Sequence, residues 1–212
     1  MVYPHPERDA CGIGFVADAQ GRASRAIVET ALNGLACVIH RGAVAADAKT
    51  ADGSGLLLPI PPAVFGEDSG VCSLFVRGDD PRAAVEEAAA EEGITVTGWR
   101  EVPTDDSQLG ELAILSRPTL LHATFQAEGR NRCEKNAYRM RRRIERTTTG
   151  TYVASCSFRT VVYKGLIAAD LLGHFYLDLA NPEFEAPFAI FHQRFSTNTL
   201  PTWERAQPFR TL

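Results

Sequence analysis

Short β-rich segments bounded by glycine, proline and polar turns recur along the chain, and they limit the folds that it can adopt. Helical patterns lie between them, beginning with a helix that Ser24 can cap and whose apolar positions run from Ile27 to Leu35. Strands that alternate with amphipathic helices predict a mixed α and β protein. The predicted strands are 11–17, 56–60, 71–77, 94–102, 120–126, 152–158, 160–163 and 188–195, and the further helices are 83–92, 131–146 and 168–172.

Composition and charge exclude several classes of protein. The chain has 212 residues, of which 45% are apolar and 23% are charged, and its formal net charge is −4. Such a composition is typical of a soluble globular protein with one full core. No apolar run approaches the ~18 residues of a membrane span, and residues 1–10 lack the apolar segment of a secretory signal. The sequence therefore predicts no membrane partner and, because the charge is mildly acidic, no nucleic-acid partner.

The cysteines indicate the redox environment and one candidate nucleophile. None of the five lies at CxxC or another ligand spacing, so we expect no zinc or iron–sulfur site in this stretch. An odd number without a signal peptide predicts free thiols in a reducing cytoplasm. Four lie among apolar neighbours or on an apolar helical stripe and are interpreted as small buried hydrophobes: Cys37, Cys72, Cys133 and Cys156. Cys11, at the start of the first strand, is the candidate reactive thiol.

Two other patterns resemble ligand-binding motifs, but their sequence context favours a purely structural role. Residues 12–17 match the dinucleotide fingerprint G-x-G-x-x-A, but these glycines lie inside a strand and a turn follows where a helix should begin. Residues 130–146 contain eight basic and two acidic side chains, which raises the possibility of an RNA- or phosphate-binding helix. The apolar stripe of Cys133, Ala137, Met140 and Ile144 instead favours an amphipathic surface helix with a solvated basic face.

Six sequence blocks follow one another along the chain: Asp9–Phe15, His40–Ala43, Asp52–Gly55, Gly98–Pro103, His192–Thr199 and Pro201–Pro208. In this order they closely resemble the N-terminal class II (N-terminal-nucleophile) glutamine amidotransferase domain of glutamate synthase large subunits. The resemblance implies an α+β fold, the four-layer αββα sandwich of N-terminal-nucleophile hydrolases. It covers only the first part of that domain, and the β-α-β block at 71–102 is expected to form a small insert.

The resemblance also implies a chemistry. In this class the cysteine becomes the first residue of the mature chain, so residues 1–10 are expected to be a propeptide and residues 11–212 an incomplete amidotransferase domain. The freed α-amine of Cys11 can then accept the thiol proton, because the two groups have similar pKa values of about 8 and 8.5. Arg194 matches the arginine that binds the glutamine carboxylate, and Thr197 is expected to add a hydrogen bond. Arg41 resembles an element of the pocket wall.

The implied function is the glutaminase half-reaction of glutamate synthase, which hydrolyses L-glutamine and supplies ammonia for glutamate synthesis from 2-oxoglutarate. FMN and an iron–sulfur cluster are expected in the synthase region and not in this segment. The implied partners are the remainder of the large subunit and a small subunit. The family's Asn-Gly oxyanion pair would follow Leu212, so we expect this chain alone to be a weak or inactive glutaminase. Two alternatives stay open: a non-catalytic fragment or interaction module, and another class II amidotransferase.

Overall fold

The computed structural model describes residues 12–193 and 200–206 of the chain. Its β-strands in this part are β1 (Gly12–Ala17), β2 (Ser54–Pro59), β3 (Gly70–Val76), β4 (Thr95–Glu101), β5 (Thr119–Gln126), β6 (Thr151–Ser157), β7 (Thr160–Gly165) and β8 (Phe188–Gln193). Its α-helices are α1 (Arg25–Cys37), α2 (Pro62–Phe65), α3 (Arg82–Ala90), α4 (Glu111–Leu115), α5 (Glu134–Thr147), α6 (Leu172–Phe175) and α7 (Leu177–Ala180). Within these ranges, no helix is long and apolar enough to cross a membrane.

The strands form two four-stranded sheets in which every neighbouring pair is antiparallel. The first sheet has the order β1-β8-β2-β7, and the second has the order β4-β5-β3-β6. Two antiparallel sheets with packed helices confirm the α+β class that the resemblance implies. The first sheet joins residues far apart in the chain, because β8 lies between β1 and β2.

The predicted β-α-β block is present, and it belongs to the second sheet. Strands β3 and β4 and helix α3 lie within a few residues of their predicted bounds. However, β3 and β4 are not neighbours, because β5 lies between them and pairs with both in antiparallel fashion. The block therefore supplies two strands of a four-stranded sheet, and β5 and β6 supply the other two.

Two main hydrophobic cores hold the layers together. One face of the second sheet packs under α3 and α5, where Leu74 and Phe125 meet Val85, Met140 and Ile144. A larger core combines the other face of that sheet with α1 and one face of the first sheet. Burying apolar area in this way contributes about 25 cal/mol per Å² of surface removed from water.

Three details differ from the sequence-based expectation. The helix expected near 168–172 begins only at Leu172, and buried Ala168 before it donates its backbone N–H to the carbonyl of Lys49 at 2.9 Å. The short helices α2 and α4 have no pattern long enough to predict them. The last strand is expected to reach Phe195, and its described part ends at Gln193.

Candidate active site

One row of paired residues crosses all four strands at the end of the first sheet. Gly12 is the ladder partner of Gln193, Gln193 pairs with Ser54, and Ser54 pairs with Gly165. This row contains the first described residue of β1 and the last described residue of β8. Two of the expected site residues, Cys11 and Arg194, are the chain neighbours of Gly12 and Gln193. Cys11, Arg194 and Thr197 themselves lie outside the described residues.

Arg41 lies beside the start of β1. It ends a short 3₁₀ turn, Ile39–Arg41, that follows α1. A Cβ added to Gly12 would lie 3.1 Å from both Cβ and Cγ of Arg41 and 2.9 Å from Cβ of Val38. Contacts this short leave little room for any side chain at Gly12, so the glycine lets Arg41 pack directly on the strand. The structure therefore places Arg41, which was expected in the pocket wall, next to the residue that follows Cys11.

A buried polar cluster lies at the corner of the first sheet where Gly12 begins β1 and Gln193 ends the described part of β8. The side-chain amide Nε2 of Gln193 donates to Oδ1 of Asp52 at 3.3 Å, and the two residues are 0% and 4% exposed. Because a carboxylate can only accept, this bond fixes which way the amide faces. The amide Oε1 of Gln193 receives no hydrogen bond within the described part of the chain. The cluster thus leaves a buried acceptor one residue before Arg194.

Gly42 is required at this position by the same cluster. A Cβ on Gly42 would lie 2.0 Å from Nε2 of Gln193 and 2.9 Å from Oδ1 of Asp52. The backbone N–H of Asp52 also donates to the carbonyl of Ala43 at 3.0 Å, which ties the loop to itself. The block His40–Ala43 and the block Asp52–Gly55 therefore form one packed unit with the end of β8.

The segment 200–206 packs against the same end of the first sheet, next to Gly165 of β7 and Gly53 before β2. Trp203 is fully buried, and its indole Nε1 donates to the carbonyl of Ala113 at 3.1 Å. Fully buried Lys164 donates from Nζ to the carbonyl of Glu204 at 2.7 Å and to the hydroxyl of Tyr152 at 2.9 Å. Gly53 has a φ of 131° and its α-carbon backs onto Ala206, since a Cβ there would lie 2.4 Å from the Ala206 carbonyl oxygen. The Trp203 region is thus anchored against the Asp52–Gly55 loop.

The other cysteines lie away from this corner, and one of them departs from expectation. Cys72 is buried, and Cys133 and Cys156 are partly buried. Cys37, at the end of α1, is exposed, so its interpretation as a buried hydrophobe was wrong. Its neighbours Ala36 and Val38 are apolar, but in a helix adjacent residues point in different directions.

This chain also contains an Asn-Gly pair of its own, Asn33-Gly34, and it lies inside α1. A Cβ on Gly34 would lie 2.8 Å from the ring of Phe191, so this glycine serves the packing of α1 on β8. Its N–H lies within a helix, whose interior amides are used in the helical hydrogen bonds, and it is a poor oxyanion donor.

Sequence reasoning missed several residues of this corner. Gln193 lies inside one of the quoted blocks, yet no role followed from its residue type alone. Lys164 follows three apolar or aromatic residues, Val161, Val162 and Tyr163, and a lysine at a strand end is usually interpreted as exposed. Its burial depends on the carbonyl of Glu204, which is remote in sequence.

Comparison with known proteins agrees with the motifs. A family model of the class-II glutamine amidotransferases matches residues 11–212. A ferredoxin-dependent glutamate synthase from Cyanidium caldarium is 39% identical over 99% of this chain and 16% of its own length. The large chain of a glutamate synthase (NADPH) from Azospirillum brasilense is 38% identical over 99% of this chain and 16% of its own length. The chain thus spans less than a fifth of the length of these relatives, and it belongs to the class-II glutamine amidotransferases.

Proposed function

We propose that this chain carries out the glutamine-hydrolysing half-reaction of a glutamate synthase, with Cys11 as the nucleophile. The observation that carries this proposal is the ladder pairing of Gly12 with Gln193. The chain neighbours of this pair, Cys11 before Gly12 and Arg194 after Gln193, belong to two motifs more than 180 positions apart in sequence. A glutamine molecule is small, so a site for it needs such a convergence.

The proposed reaction starts with removal of residues 1–10. Cleavage after Ala10 converts an amide nitrogen, which is not basic, into an α-amine with a pKa of about 7.7–8.0. That amine accepts the proton of the Cys11 thiol, and the thiolate attacks the side-chain amide carbon of glutamine. The tetrahedral intermediate collapses, the amine returns the proton to the leaving nitrogen, and ammonia departs. Water then hydrolyses the γ-glutamyl thioester and releases glutamate.

The arginines are proposed to select and orient the substrate. The guanidinium of Arg194 can form two parallel hydrogen bonds with the α-carboxylate of glutamine, and Thr197 adds another. Arg41, which packs on Gly12, forms part of the pocket wall next to the nucleophile. The ammonia is used elsewhere in the longer protein to aminate 2-oxoglutarate, with FMN and an iron–sulfur cluster bound in that region and a small subunit as partner.

Ammonia release from glutamine tests this proposal in the full-length protein that contains the chain. Cys11→Ser should abolish it, because serine at this position is a much weaker nucleophile at neutral pH. Cys37→Ser and Cys133→Ser are the matched controls and should retain the activity of the unaltered protein. Activity that survives in Cys11→Ser, or an unaltered protein that releases no ammonia, would overturn the proposal. The second result would favour a non-catalytic interaction module.

A further inference from the structure

Two cysteines outside the candidate active site face each other in the second sheet. Cys72 of β3 is the direct ladder partner of Cys156 of β6. Directly opposed residues of an antiparallel pair have their α-carbons about 4.5–5.5 Å apart and their side chains on the same face. A disulfide requires α-carbons about 4.4–6.8 Å apart. The α-carbon spacing of this ladder pair therefore falls in the range that a disulfide needs.

The thiol of Cys156 interacts with Cys72 on one side and with α5 on the other. The pKa of the Cys156 thiol lies well above its ordinary value, mainly because of a hydrogen bond with Cys72 and secondly because the thiol is buried. On the other side, Sγ of Cys156 lies 3.9 Å from Sδ of Met140 in α5. The pair belongs to the core between the second sheet and α5, and no sequence spacing predicted it.

The two thiols differ in their access to solvent. Cys72 is fully buried, whereas Cys156 is only partly buried. Because β6 is the outer strand of the second sheet and β3 is an inner one, a small oxidant reaches Cys156 before Cys72, which lies beside it as the second thiol. Because Cys156 is mostly protonated, we expect its reaction to be slower than that of exposed Cys37.

We propose that Cys72 and Cys156 are a redox-sensitive pair that a hydroperoxide converts into a disulfide between β3 and β6. In the first step the sulfur of Cys156 attacks a peroxide oxygen, the O–O bond breaks, and the products are water (an alcohol from an organic peroxide) and a sulfenic acid. In the second step the sulfur of Cys72 attacks the sulfur of Cys156, the S–O bond breaks, and a second water leaves. The two thiols lose two electrons in total, and the peroxide gains them. A small thiol reverses the linkage by exchange.

The proposal does not depend on glutaminase activity, and the 212-residue chain itself is the material for the test. The variant Cys11→Ser/Cys37→Ser/Cys133→Ser leaves the pair as its only cysteines. It is treated with hydrogen peroxide well beyond the dose that consumes Cys37 in the unaltered chain. Intact mass and thiol titration in denaturant then report the product.

The expected product is a monomer that has lost two hydrogen atoms and both thiols together, and that dithiothreitol restores. Proteolysis should release one linked peptide pair containing positions 72 and 156. In the matched control, where Cys72→Ala is added, Cys156 should stop at a sulfenic acid that dimedone traps. Two surviving thiols, separate sulfinic acids, or a linkage between two molecules would each overturn the proposal. Peptide mapping of the peroxide-treated unaltered chain gives the same answer if the variant does not fold.

Discussion

At the scale of single residues, the corner beside Gly12 depends on one missing side chain. Gly42 lies where any Cβ would overlap the amide of Gln193 and the carboxylate of Asp52. These two buried groups are hydrogen bonded to each other, and Gln193 lies one residue from Arg194 in the chain. A displaced Gln193 would therefore shift the end of β8, from which the proposed carboxylate-binding arginine extends.

Gly42→Ala should for this reason reduce kcat/KM for glutamine in the full-length protein by about tenfold. Overpacking of a filled site typically costs about 1–3 kcal/mol, and ~1.4 kcal/mol corresponds to a factor of ten in rate. Ala43→Ser is the matched control, because Ala43 is exposed and lies next in the chain. The measurement is steady-state ammonia release. Unchanged kinetics for Gly42→Ala would show that the cluster does not position the site.

At the scale of elements, the sequence of α5 predicts its buried apolar face but not the ion pairs that its basic side chains form. Its predicted apolar stripe is confirmed, since Ala137, Met140 and Ile144 are buried. The basic side chains are largely paired: Arg143 contacts Glu91 and Glu92, and Arg142 contacts Glu145. These partners, which lie on α5 and at the end of α3, neutralise much of the local charge and support the interpretation as a surface helix. The pairing with the end of α3 could not be predicted, because it depends on how the two helices pack.

One arginine of α5 is part of the core. The side chain of Arg141 is 6% exposed, donates from Nη2 to the carbonyl of Val153 at 3.1 Å, and pairs with Glu145 at 3.0 Å. Arg141→Ala should lower the free energy of unfolding by about 1–3 kcal/mol, because it leaves a buried carbonyl without its donor. Arg146→Ala, on the exposed side of the same helix, should change it by less than about 0.5 kcal/mol. Denaturant unfolding of both variants measures this difference, and equal losses would contradict the role given to Arg141.

At the scale of the whole molecule, a buried polar cluster connects the two sheets. Asp178 accepts hydrogen bonds from Arg100 of β4 at 3.1 Å and from the hydroxyl of Tyr163 of β7 at 2.7 Å. Arg100 also lies 3.1 Å from Nδ1 of His122 in β5. Burial, and then the positive charge of Arg100, hold the pKa of His122 well below 6.5. The ring is therefore neutral in the folded protein and accepts from Arg100.

This shift makes stability depend on pH. In the unfolded chain His122 takes up a proton near the ordinary histidine pKa of 6.5, whereas the folded chain resists that proton until a much lower pH. Proton uptake thus favours unfolding, so the contribution is present above about pH 6.5 and is lost as the pH falls. The slope can reach about 1.4 kcal/mol per pH unit for one proton.

His122→Gln should remove this part of the slope when the free energy of unfolding is measured by denaturant titration on either side of that pH. His174→Gln, which replaces an exposed histidine, is the matched control and should keep the slope of the unaltered chain. Should His122→Gln retain the full slope, the histidine would not be the group that titrates.

Local pattern predicted most of the strands and the three longer helices, because alternation and helical spacing are written in neighbouring residues. Sheet order was not accessible in this way, since β8 must travel far along the chain to lie between β1 and β2. The convergence of the motifs at Gly12 and Gln193 came from resemblance and not from spacing. Residues such as Lys164 and Asp52 acquire their partners only through that order, so their burial could not be predicted.

Covalent labelling tests most directly whether Cys11 is an N-terminal nucleophile. The active full-length protein is incubated with 6-diazo-5-oxo-L-norleucine, an electrophilic glutamine analogue, and the labelled peptide is sequenced by mass spectrometry. We expect one adduct per chain, on a peptide whose first residue is Cys11 and which no longer carries residues 1–10. A label on another cysteine, or an active protein that still begins upstream of Cys11, would contradict it.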